Sequence, residues 1–94
     1  MNRITRKNLD ACAAMLNRMT GSPLEPYEGS HGAWKAQPGN FHISGAYGGY
    51  ALHRMSNEGG GVSDIFSRGH MPARELYELI HAFRRGLEFS GVQA

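Results

Sequence analysis

Residues 44–55 read Ser44-Gly-Ala-Tyr-Gly-Gly-Tyr-Ala-Leu-His-Arg-Met55, or SGAYGGYALHRM, and the way this stretch turns back on itself decides the fold. Alternating side chains on both sides of a glycine pair describe a β-hairpin. With Gly48 and Gly49 as the two central residues of a primed turn, Tyr47 opposes Tyr50, Gly45 opposes Leu52, Ser44 opposes His53, Ile43 opposes Arg54 and His42 opposes Met55. Phe41, Ile43, Gly45, Tyr47, Tyr50, Leu52 and Arg54 then share the core face, while His42, Ser44, Ala46, Ala51, His53 and Met55 share the other. Gly45 leaves room there for a tyrosine ring or a helix residue to approach the sheet.

Upstream of the hairpin, Gln37-Pro38-Gly39-Asn40 is a turn, and the strand before it covers about 33–36 with the single tryptophan. Strands two and three are 41–47 and 50–56. The run Asn57 to Gly61 breaks the strand pattern before Val62. Further out, Ile4, Leu9, Cys12, Ala13, Leu16 and Met19 recur at helical spacing and predict a helix over 5–20. Thr5 or Asn2 caps its start; Gly21 and Pro23 stop it. The apolar stripe Leu76, Leu79, Ile80, Phe83 and Leu87 behind Pro72 predicts a second helix over 72–89. The expected architecture is α+β, in the order α-β-β-β-α: one domain, 1–94, with a three-stranded antiparallel meander and both helices on one of its faces.

Composition narrows the functional classes. The 94 residues carry a net charge of +2, a pI near 9.0 and 40% hydrophobic residues. That balance describes a globular domain with a mildly basic surface. The single cysteine, Cys12, rules out an intrachain disulfide, falls on a helix's apolar stripe and reads as a small core residue. No run approaches the length of a membrane span and no signal-peptide core opens the chain, so the expected setting is cytoplasmic. No serine elbow, phosphate loop, HExxH or paired acidic residues suggest catalysis; no catalytic residue, metal or cofactor is expected.

Two surfaces remain as candidates. One gathers Arg54, Arg68, His70 and Arg74 near the start of the second helix, whose free amides favour an anion, with Tyr47 and Tyr50 as aromatic anchors at the hairpin tip. The competing reading pairs Arg74 with Glu78 and leaves the loop solvated. The other surface is the pair His42 and His53 on the open face, where solvated imidazoles are the ordinary outcome. Exposed sheet edges leave a homodimer open.

The order helix, three strands, helix resembles the double-stranded-RNA-binding domain, with Leu16-Asn17, Gly21, Pro23 and Tyr27 similar to that family's first helix and loop. The lysine cluster with which that family grips phosphate is missing, since the chain has only Lys7 and Lys35. Over nearly its whole length the chain is similar to a group of small phage and prophage proteins, through NLDACAAMLNRMTG, GNFHISGAYGGYALHRM, NEGGGVSD and ARELYELIHAFRRGL. That resemblance implies an accessory protein that binds a host component, with counter-defence inhibition as one outcome, acting in the host cytoplasm. A host protein is the first expected partner; nucleic acid and a small anionic nucleotide are the alternatives.

Overall fold

The computed structural model describes residues 3–91. Helix α1 runs Arg6–Thr20, and its start is closed by a capping box in which Asn8 takes the usual glutamate position. The Asn8 N–H donates to Thr5 Oγ1 at 3.3 Å and the Thr5 N–H donates to Asn8 Oδ1 at 2.9 Å. Thr5 is therefore the cap, and Asn2 lies outside the described residues. Gly21 ends the helix at φ 69°. This is the left-handed conformation that glycine adopts without a Cβ penalty.

Two short strands follow, β1 (Tyr27–Glu28) and β2 (Lys35–Ala36), which pair with each other as a separate ribbon. The main sheet holds β3 (Phe41–Ala46), β4 (Gly49–Met55) and β5 (Val62–Asp64) in the order β3-β4-β5, all antiparallel. Helix α2 spans Ala73–Phe89 behind Pro72. Leu9, Cys12, Ala13 and Leu16 of α1 meet Phe41, Ile43 and Leu52 of the sheet and Leu76 and Ile80 of α2 in one core, so both helices pack on one face. Phe83 stands edge-on to Phe41 and Phe66, with ring centroids 6.2 and 6.0 Å apart. No helix among the described residues is long and apolar enough to cross a membrane.

The expected strand at 33–36 does not join the meander. The free edge of β3 is already occupied, much as a neighbouring strand would occupy it. Asn17, buried in α1, accepts from the Phe41 N–H at 2.7 Å and donates to its C=O at 2.9 Å. Arg6 closes the next carbonyl on that edge, Ile43 C=O, at 3.0 Å. Residues 35–36 turn instead to 27–28, and Gly39 and Asn40 extend the β3–β4 ladder through Met55.

The third strand of the meander is β5, which the glycine run conceals. Asn57 Oδ1 accepts from the N–H groups of Gly59 and Gly61 at 2.9 and 3.0 Å. The run is therefore a tight turn between two strands, closed by a side chain.

The hairpin register also differs. Ala46 opposes Gly49, so Tyr47 and Gly48 are the turn, with φ 54° and 74°. Gly49 stays in the strand because a Cβ there would lie 2.9 Å from the Met71 carbonyl oxygen. At that point Met71 and Tyr50 exchange backbone hydrogen bonds of 2.8 Å each. Moving the turn by one residue shifts the pairing by two. Face assignments therefore survive everywhere except at Tyr47, which leaves the core face. Ala51 and Met55, on the opposite face, are buried all the same, so the histidine side is not bare.

Candidate functional site

The residues expected to gather at the start of α2 separate into different places. Arg54 lies on the core side of β4 but far along it: its guanidinium sits over the Phe41 ring at 4.5 Å and its Nε donates to Gly39 C=O at 3.0 Å. It closes the edge of the core and takes no part in a common patch. Arg68 faces Glu75 at 3.9 Å, both well exposed, a pairing of little energetic weight. His70 turns to the open face of the sheet, where its ring stands beside Tyr47, and Arg74 lines the cleft at the hairpin tip.

At the tip, Tyr47 is 97% exposed while Tyr50 is partly buried against the core. The Tyr50 ring stands across from Gly45, and Arg6 reaches into the space that Gly45 leaves. A Cβ on Gly45 would come within 2.8 Å of Arg6 Nη1, so the gap serves a helix residue, as its place in the strand suggests. Arg6 lies 5.9 Å from the Tyr50 centroid, pairs with Asp10 at 3.4 Å, and is fixed at the side of a cleft of about 650 Å³. Arg3, Thr5, Arg6, Gly48, Tyr50 and Arg74 line that cleft where the starts of both helices meet the hairpin. Among the described residues no carboxylate lines it. Arg3 and Arg6 lie near one end of the sequence and Arg74 near the other. Their meeting with Arg74 follows from the chain crossing between α1 and α2, which no local pattern records.

On the other face the imidazoles form a row. His42 opposes His53 across β3–β4 with centroids 5.9 Å apart, and His53 lies 6.0 Å from His70, whose ring is 5.8 Å from Tyr47. Asn40 Nδ2 donates to Pro23 C=O at 2.8 Å, which turns its Oδ1 toward His42 Nδ1 at 3.1 Å. The proton on neutral His42 is thus held at Nδ1. His70 Nε2 meets Ser44 Oγ at 3.0 Å.

Burial lowers the pKa of His42, helped by the nearby charges of His53 and Arg6. Burial lowers that of His53 too, with Asp64 opposing the shift and His70 adding to it. Asp64 spends its carboxylate on the N–H groups of Ser67 and Gly69, at 3.2 and 2.9 Å. His42 and His53 are therefore neutral in neutral solution. Among the described residues no group of three His, Cys, Asp or Glu side chains is arranged to hold a metal ion.

Cys12 approaches His81 Nε2 at 3.9 Å between the two helices. Burial pushes its thiol up, against a smaller pull from Arg84, while burial and the charges of Arg84 and Arg85 lower His81. Both shifts favour the uncharged thiol and imidazole, the opposite of an activated cysteine. No protein-family model, no curated protein and no solved structure matches this chain.

Proposed function

We propose that this chain is a non-enzymatic accessory protein of phage or prophage origin that binds a host protein in the host cytoplasm and occupies a site on it, with counter-defence inhibition as its role. One observation carries the reading. Tyr47 is a bulky aromatic held at φ 54° and 97% exposed. It stands at a turn position where asparagine or glycine fits without strain.

A left-handed conformation at such a residue costs on the order of 1–2 kcal/mol, and the edge-on contact of the ring with His70 at 5.8 Å leaves it 97% exposed. Strain of this kind at an exposed position supports a role in contact with something else, and tyrosine is among the residues that dominate protein interfaces. Arg74 and the cleft beside the tip add positive charge to the same end of the molecule, which suits an acidic rim on the partner.

The double-stranded-RNA reading has less support, because Arg68, His70 and Arg74 stand in three different surroundings instead of forming one grip at the start of α2.

The test separates binding from folding. Tagged chain and its Tyr47→Asn variant are used to capture proteins from host lysate, and the retained proteins are identified by mass spectrometry. The variant is expected to be as stable as the original and to lose the partner. A partner held equally by both would refute the role of Tyr47.

A further inference from the structure

We propose that the cleft between the starts of α1 and α2 and the hairpin tip is a binding site for a diphosphate group, of the kind a nucleoside diphosphate carries. Arg3, Arg6 and Arg74 border one open space of about 650 Å³. That volume is within the range of small-molecule sites. Arg3, Arg6 and Arg74 bring positive charge to a common space, which favours an anion there. Asp10, the carboxylate paired with Arg6, does not line the cleft.

Arg6 is placed with more care than a surface cation requires. Its Nε is taken by Asp10 and its Nη2 by Ile43 C=O, while its Nη1 lies in the space that Gly45 leaves beside Tyr50. These contacts set the orientation of the guanidinium beside the cleft before any ligand arrives, and its charge favours phosphate oxygens. Gly48 contributes a backbone without a side chain at the mouth, with φ 74° and open space around it. The ring of Tyr50 within the cleft offers a face to a base carried by the diphosphate. A single partner carboxylate would meet one of these arginines, whereas a diphosphate spans several.

This site stands apart from the role of Tyr47 in holding a host protein, and its test reads different residues. Thermal unfolding and calorimetric titration are run with inorganic pyrophosphate and with adenosine 5′-diphosphate, against sodium chloride at matched ionic strength. Both phosphates are expected to raise Tm while chloride does not. Removing one exposed arginine, Arg3→Gln, is expected to weaken binding about ten-fold without lowering the Tm of the unliganded chain. Arg74→Gln serves as the second variant, with the same expected weakening of binding.

Tighter binding of the nucleotide than of pyrophosphate assigns the site to nucleotides; equal binding assigns it to the diphosphate group alone. The proposal is overturned if chloride raises Tm as much as pyrophosphate does, since screening of the arginines then explains the effect. It is also overturned if both arginine variants bind unchanged, or if an acidic peptide binds where pyrophosphate does not.

Discussion

Asn17 and Phe41 form a strand pairing between a side chain and a backbone: the amide of Asn17 satisfies both the N–H and the C=O of Phe41, at 2.7 and 2.9 Å, and does so with only 1% of Asn17 exposed. Replacing Asn17 by leucine leaves both backbone groups buried without partners. The expected loss is about 3 kcal/mol, read from urea denaturation. A loss below about 1 kcal/mol would mean that water reaches the β3 edge and that the amide is dispensable.

Tyr47 carries the opposite expectation. Tyr47→Asn or Tyr47→Gly is expected to leave stability equal or raise it by up to about 1 kcal/mol, because both residues accept the left-handed conformation more readily. Chemical denaturation of the two variants checks this. A clear loss of stability would show that the ring packs against His70 strongly enough to repay its strain.

The glycines of the hairpin are expected to differ in rank. Gly49→Ala drives a methyl group against the Met71 backbone. Its expected cost is more than about 2 kcal/mol. Gly48→Ala meets nothing within 4 Å. It is expected to cost only its positive φ, about 1 kcal/mol. Gly45→Ala displaces the end of a long side chain, Arg6, and should fall between them. An unfolding series across the three variants reads the order directly.

The histidine row predicts a pH response. His42 and His53 titrate lower in the folded chain than their ordinary value of 6.5. Between that value and their folded pKa the unfolded chain therefore binds more protons. Their contribution to stability is whole above pH 6.5 and declines as the pH falls through this window. Tm measured from neutral to mildly acidic pH is expected to drop, and His53→Gln is expected to flatten the drop. An unchanged slope in that variant would place the sensitivity in His42 and His81, which are shifted in the same direction.

Cys12 is expected to resist alkylation in the folded chain and to react fully once denaturant is added. The residue is 6% exposed and burial raises its pKa. Both effects keep the reactive thiolate scarce. Rapid labelling under native conditions would mean that α1 and α2 separate readily.

The helices were legible because their apolar spacing and stop signals are local: Leu9, Cys12, Ala13 and Leu16 declare one face, and Gly21 ends it. The two faces of the hairpin were legible for the same reason, since alternation is insensitive to a shift of two. The turn itself was not. Which of three adjacent residues takes positive φ depends on Met71, distant in sequence, needing clearance at Gly49. β5 hid behind a glycine run whose order comes from one side chain, Asn57. The candidate patch broke apart because its members were grouped by nearness to one helix start, while Phe41, Glu75 and Ser44 draw Arg54, Arg68 and His70 to separate places.

The paired backbone bonds between Tyr50 and Met71 act as a rivet. They fasten the hairpin three residues from its most exposed ring and the helix two residues before its first turn. Load applied at the tip thus passes straight into α2 without first unwinding the connecting segment 65–70. A partner gripping the protein there grips a lever with a fixed fulcrum.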